Sequence, residues 1–147
     1  MIYVDTSALV KRYLSETGSD AFDTFFLAHA PLTVSRLTIV EMRCALARRR
    51  RNLQISPELE TRVLDAFRLD VQDGALEVSS FLEDDLTLAY HLMDEVADLP
   101  LRTLDALHLA VARRHAIPAF STADKKQADA AQKLGFTLHR FDPPQSP

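Results

Sequence analysis

Four acidic residues stand where this chain could do chemistry: Asp5, Glu41, Asp105 and Asp124. Asp5 follows the apolar run Met1-Ile2-Tyr3-Val4, and Asp124 comes four residues after Phe120 in Ser121-Thr122-Ala123-Asp124. Asp105 lies within Arg102-Thr103-Leu104-Asp105-Ala106-Leu107-His108, and Glu41 closes Thr38-Ile39-Val40-Glu41. Carboxylates that face one small volume raise one another's pKa and oppose folding unless something positive sits between them. Oxygen ligands with no Cys or His nearby suit Mg²⁺ or Mn²⁺. Such ions serve phosphoryl transfer by activating water and bracing the leaving oxygen. Each acid also has a purely structural reading, because a carboxylate in the first turn of a helix offsets the macrodipole for ~0.3–1 kcal/mol. The four taken together are harder to explain that way.

The elements around them decide whether they can meet. Residues 1–4 read as a strand buried on both faces, after which Asp5-Thr6-Ser7 offer helix-capping side chains. A helix fits 18–30, with Phe22, Phe25 and Phe26 at helical spacing and Pro31 as its stop. A strand at 32–34 follows. Thr38 to Glu41 matches a capping box that opens, or nearly opens, a helix running to Arg51. Ser56-Pro57 places a cap and a first-position proline ahead of a helix over 58–69. Residues 76–78 read as a strand. Ser80 to Glu83 forms a second capping box before an amphipathic helix with its stripe at Leu82, Leu86, Ala89, Met93 and Val96. After Pro100, Thr103 caps a helix whose buried stripe is Leu104, Leu107, His108 and Val111. A strand at 117–120, a helix over 123–134 capped by Thr122 and closing on Gly135, and a strand at 137–141 complete the series. Strands alternating with helices predict an α/β fold with one domain, a central, mostly parallel sheet flanked by helices on both faces. In such sheets, ligands gather beyond the carboxyl ends of the strands, where the helix starts carrying these acids can lie at one edge.

Ile2-Tyr3-Val4-Asp5-Thr6-Ser7-Ala8-Leu9, Ser35-Arg36-Leu37-Thr38-Ile39-Val40-Glu41, Leu104-Asp105-Ala106-Leu107-His108-Leu109-Ala110 and Phe120-Ser121-Thr122-Ala123-Asp124 resemble the four blocks of PIN-domain ribonucleases. The compact size resembles the VapC-type toxins of bacterial toxin–antitoxin pairs. The resemblance runs from Met1 to about Phe141. It implies a PIN-like nuclease domain over 1–142 with a tail at 143–147, and an Mg²⁺- or Mn²⁺-dependent endoribonuclease that hydrolyses RNA phosphodiesters to leave a 5′-phosphate and a 3′-hydroxyl. Carried over by position, Asp5, Glu41, Asp105 and Asp124 form the acidic quartet. The three aspartates approach the ion most directly and Glu41 often acts through water. Thr6, Ser7 and Thr122 occupy the small polar positions lining such a site. Arg102 corresponds only loosely to a polar residue beside it. The resemblance further implies an RNA substrate, a cognate VapB-type antitoxin and a homodimer.

The 147 residues fit one domain. No window approaches the ~18 uninterrupted apolar residues of a membrane span, and the N-terminus lacks the pattern of a secretory signal. The single cysteine, Cys44, excludes a disulfide framework and fits a reducing cytoplasm. One turn after Glu41, it reads as a small buried hydrophobe. Neither a G-x-G-x-x-G nor a G-x-x-x-x-G-K loop occurs, so phosphate chemistry must rest on side chains and metals. The net charge of −4 hides an asymmetry: residues 58–98 hold 12 acids against two bases. The remainder is therefore basic, and nucleic-acid affinity follows a local basic face rather than the total. Arg48 and Arg49, with Lys125 and Lys126, are candidate RNA phosphate contacts. A run of cations at a helix end also simply complements the dipole. His108 on its apolar stripe reads as a satisfied core histidine before a catalytic one. The helix of Phe22, Phe25 and Phe26, beside the helix of Arg43 to Arg51, offers a groove for an amphipathic antitoxin helix. Two other functions compete. An aspartyl-nucleophile phosphatase wants a second acid two residues after the first, where this chain has Ser7. A non-catalytic receiver-like module wants paired acids directly after the first strand, where Thr6 follows Asp5.

Overall fold

The computed structural model describes residues 1–143. The expected tail, 143–147, lies outside the described residues except for Pro143. The strands are β1 (Ile2–Val4), β2 (Leu32–Ser35), β3 (Leu76–Ser79), β4 (Ala119–Thr122) and β5 (Thr137–Arg140). Every pairing is parallel, in the order β3-β2-β1-β4-β5. The helices are α1 (Thr6–Leu9), continued by a 3-10 turn over Val10–Arg12, then α2 (Ser19–His29), α3 (Arg36–Arg51), α4 (Pro57–Gln72), α5 (Glu83–Glu95), α6 (Thr103–Arg114) and α7 (Lys125–Lys133).

The sheet is covered on both faces, as its apolar central strands require. Val4, Leu32, Val34 and Leu76 pack with residues of α1 to α4, among them Leu9, Phe22, Met42, Leu46 and Phe67. Tyr3 and Phe120 point the other way, into a cluster with Ala89, Leu92, Leu109 and Ala131 of α5, α6 and α7. Successive residues of β1 thus serve opposite cores, the period of two that a strand imposes. Each of the buried Val, Leu, Met and Phe side chains contributes on the order of 1.5–3 kcal/mol, so the strand ends that carry the acids rest on a rigid floor.

Several helix starts differ from the sequence expectation by one to three residues. Ser35, not Thr38, precedes α3, and the Thr38 hydroxyl instead accepts the Ser35 N–H at 3.3 Å. Arg102, not Thr103, precedes α6. α7 is capped by Asp124, whose Oδ1 accepts the N–H groups of Lys126 and Gln127 at 2.7 and 3.1 Å, while Thr122 remains in β4. The pair Ser56-Pro57 does open α4, with the Ser56 hydroxyl accepting the Leu59 N–H at 3.1 Å. Gly135 follows α7 at φ +87°, where a side chain would be strained.

The stripe predicted for α5 is also shifted. The box at Ser80 does not form, and the helix begins after Leu82. Leu82 and Leu86 are exposed, whereas Asp85 is fully buried. The cause is a partner on α6: Arg114 grips Asp85 through two hydrogen bonds of 2.6 and 3.1 Å. Burying a carboxylate requires such pairing, and meeting it turns the first turn's leucines outward. Leu104 of α6 is likewise half-exposed rather than buried.

Candidate active site

The strand order reverses at β1, which has β2 on one side and β4 on the other. In open parallel sheets, the crevice at such a switch point, beyond the carboxyl ends of the strands, is where ligands bind. Asp5 leaves β1 at this crevice, its N–H donating to the Ser121 carbonyl of β4 at 3.1 Å. Asp124 follows β4 by two residues. Glu41 comes from the early turns of α3, and Asp105 from the first turn of α6.

Two hydroxyls join the strand ends around Asp5. Each has one proton to donate, and the backbone decides where it goes. The Ala123 N–H donates to the Ser7 hydroxyl at 2.9 Å and the Asp124 N–H to the Thr122 hydroxyl at 3.0 Å. Both hydroxyls are thereby turned toward Asp5: Ser7 reaches Oδ1 and Oδ2 at 2.8 and 3.0 Å, and Thr122 reaches Oδ2 at 2.5 Å. The Ala8 N–H adds a bond to Oδ1 at 2.9 Å. Asp5 thus caps α1 and ties β1 to the loop carrying Asp124. Even so, burial raises its pKa from 3.8 to about 6, outweighing His108 nearby and these hydrogen bonds, all of which act to lower it.

The other acids share the crevice electrostatically. The pKa of Asp105 is raised by burial and then by the charges of Asp124 and Glu41. Burial also opposes ionisation of Glu41, but hydrogen bonds from His108 and Thr6 outweigh it and hold its carboxyl below the usual range. The Thr6 hydroxyl donates to Glu41 Oε2 at 3.0 Å, and the same oxygen meets His108 Nε2. His108 Nδ1 lies 2.7 Å from the Tyr3 hydroxyl. His108 is therefore buried and satisfied, as the sequence suggested, yet its partner is a site acid. The signal for this pair was a Tyr two residues before Asp5 and a His three after Asp105, two polar groups on apolar elements.

Among the described residues, none of the four acids is ion-paired with Lys or Arg. Nor, among them, does any group of three His, Cys, Asp or Glu side chains stand in an arrangement that could already hold a metal ion. The donor chemistry nevertheless fits a hard cation: three or more oxygen ligands, mutually repelling, with no Lys or Arg paired to them among the described residues.

The acidic corner opens into a cleft of about 590 Å³, lined by Thr6, Ser7 and Glu41 at one end and by Arg48, Arg49 and Arg51 at the other. Arg48 is exposed, while Arg49 is held by Glu16 at 2.9 Å. Seven residues of helix separate Glu41 from Arg48, a rise of about 10 Å. Lys125 and Lys126 begin α7 directly after Asp124, with Lys125 paired to Asp129 at 2.7 Å. Cys44 is exposed and lines the same cleft rather than being buried. Phe22, Phe25 and Phe26 are buried, packed with one another and with Phe141, and cannot offer the apolar groove expected of them. Their helix turns them all into the first core.

Asp124 serves two masters, as helix cap and as site acid, and substitutions separate the roles. Asn caps about as well as Asp, whereas Ala forfeits ~1 kcal/mol. In EDTA, Asp124→Ala is expected to lower the melting temperature by about 2–4 °C, and Asp124→Asn to leave it unchanged or raise it. A fall in Asp124→Asn equal to that in the alanine variant would mean that the charge itself stabilises the helix.

Comparison with known proteins identifies the family and the fold. The PIN domain family model matches residues 2–133. Ribonuclease VapC46 of Mycobacterium tuberculosis is 31% identical over 139 residues, covering 93% of this chain and 95% of that protein. The crystal structure of M. tuberculosis VapC20, described as a sarcin-ricin loop cleaving toxin, superposes with a TM-score of 0.71 at 19% identity, over 88% of this chain and 95% of that one. VapBC2 from Rickettsia felis, solved bound to a DNA fragment from its promoter, gives 0.69 at 16% identity, over 97% of this chain and all of the matched one. A five-stranded parallel sheet with four acids at its switch point, matched over nearly its whole length by this family, places the chain among the PIN-domain proteins, in their VapC-type ribonuclease branch.

Proposed function

We propose that the protein is an Mg²⁺- or Mn²⁺-dependent endoribonuclease and the toxin of a toxin–antitoxin pair. The observation that supports this reading is the placement of Asp5, Glu41, Asp105 and Asp124 on the strand and helix ends around the switch point, none of them ion-paired with Lys or Arg among the described residues. Asp5, Asp105 and Asp124 would hold the ion, with Glu41 acting through water. A bound divalent cation supplies activation of a water molecule and stabilisation of the charge on the leaving oxygen. The protein's own contribution is orientation. Ser7 and Thr122 fix Asp5 against the β4 loop, Thr6 and His108 fix Glu41, and Arg48 with Arg49, Lys125 and Lys126 would hold flanking phosphates. The competing phosphatase reading loses support, because Ser7 donates to Asp5 where a general acid would stand and, among the described residues, no lysine is ion-paired to that carboxylate.

The nuclease domain would occupy 1–142, followed by the short tail. A small cognate antitoxin of the VapB type, a homodimer and a cytoplasmic setting complete the proposal. No described helix is long and apolar enough to cross a membrane. An end-labelled RNA incubated with the purified chain should be cut internally in Mg²⁺ or Mn²⁺, leaving 5′-phosphate ends, and should survive in EDTA. Cleavage undiminished by EDTA would sink the metal-dependent mechanism. Growth arrest on expression, relieved by the neighbouring small open reading frame, would be the cellular counterpart.

A further inference from the structure

Glu41 is held from behind by a line of buried polar groups. Tyr3 is fully buried in β1, its ring stacked on Phe120 with centroids 5.3 Å apart. Its hydroxyl lies 2.7 Å from His108 Nδ1, and His108 Nε2 meets Glu41 Oε2. His108 is 1% exposed, so water does not compete for either ring nitrogen. The direction of the Glu41 bond follows from elementary inventory. A carboxylate only accepts, so Nε2 carries the proton and donates. The Tyr3 hydroxyl both donates and accepts, so it partners Nδ1 whether or not that nitrogen carries a proton. Thr6 adds a second donor to the same Oε2 at 3.0 Å.

We propose that Tyr3 and His108 are positioning residues: they lock Glu41 so that Oε2 is occupied inside the protein and Oε1 is the oxygen presented to the cleft. The pair reaches the site from the opposite core. Tyr3 and the α6 helix belong to the cluster behind the sheet, whereas Glu41 comes from α3 on the other side. Packing of the second core is thereby transmitted to the orientation of one carboxylate. Partners of this kind typically influence metal affinity or activity by ~10–100-fold. What Oε1 meets, a divalent ion or its water, rests on the function proposed above, whereas the locking of Glu41 does not.

Two measurements on the full-length chain test this. Nitrogen-15 histidine spectra of the metal-free protein should show His108 protonated at Nε2. A ring unprotonated at Nε2 would overturn the assignment. Mn²⁺ binding, followed by electron paramagnetic resonance without RNA, should weaken on the order of tenfold in Tyr3→Phe and in His108→Leu. His108→Gln, whose amide N–H can replace the Nε2 donor, should recover most of that loss. Tyr3→Phe keeps the stacked ring and so remains informative if His108→Leu fails to fold. Wild-type Mn²⁺ affinity in Tyr3→Phe, or equal losses in His108→Gln and His108→Leu, would overturn the proposal. So would losses that merely follow each variant's melting temperature in EDTA. A wild-type chain that shows the Nε2–H ring but binds no Mn²⁺ would support the locking of Glu41 and overturn the metal-dependent reading instead.

Discussion

Asp5→Asn is expected to abolish RNA cleavage and, in EDTA at neutral pH, to raise the melting temperature. The loss of activity follows from the role proposed for Asp5 as a direct ligand. A divalent ion supplies several kcal/mol of charge stabilisation in the transition state, on the order of a thousandfold in rate. The gain in stability follows from burial. A pKa raised from 3.8 to about 6 means that ionised Asp5 opposes folding, by about 3 kcal/mol at most at neutral pH. The amide cannot accept all of the bonds from Ser7, Thr122 and Ala8, and losing one costs ~1 kcal/mol. The balance is a rise of a few degrees. The sign can be checked by titration. Because the folded-state pKa is the higher one, the stability this group contributes is fully present below about pH 4 and is lost as pH rises through about 6. Thermal melts of wild type and Asp5→Asn in EDTA should therefore converge toward pH 4 and diverge toward pH 7. Parallel curves would show that Asp5 does not titrate in this range.

Thr122→Val is expected to cost activity on the order of 10–100-fold although the residue touches no substrate in the proposed mechanism. Valine matches threonine in shape but removes the hydroxyl that donates to Asp5 Oδ2 and accepts the Asp124 N–H. Thr122 is fully buried, so the abandoned N–H and carboxylate oxygen each lose a partner where water does not easily replace it, for about 1–3 kcal/mol of stability. The Thr122 bond also lowers the Asp5 pKa. Without it that pKa should rise further, and the acid limb of the cleavage–pH profile should move toward alkaline pH. Reduced activity with an unmoved acid limb would mean that Thr122 shapes the loop without tuning Asp5.

How much of this was legible in the sequence depends on the kind of signal. The sheet was, because short apolar runs punctuated by Pro and Gly at 31, 100 and 135 leave few alternatives to parallel α/β packing. The placement of two acids was legible by type and spacing, since Asp5 directly follows β1 and Asp124 follows β4 by two residues, and these strands become neighbours. Helix starts were misread wherever several capping side chains compete. Ser35 and Thr38 both suit the start of α3, and only tertiary placement lets Thr38 serve as the acceptor inside the helix. At α7 the competition between Thr122 and Asp124 was settled by Asp5, which engages the threonine hydroxyl. The exposed leucines of α5 could not be anticipated, because the buried position belongs to Asp85 through Arg114, 29 residues away. The same limitation hid the line from Tyr3 through His108 to Glu41, which draws on three elements. Local patterns carry no record of such long-range pairings.

Anomalous diffraction from crystals grown in saturating Mn²⁺ tests the central claim most directly, because it locates the ion without reference to activity. The expected result is manganese density bounded by the carboxylates of Asp5, Asp105 and Asp124, with Glu41 facing it, and none at that place in Asp5→Asn crystals. Saturated wild-type crystals with no manganese among these four acids, from protein that cleaves RNA in Mn²⁺, would contradict it.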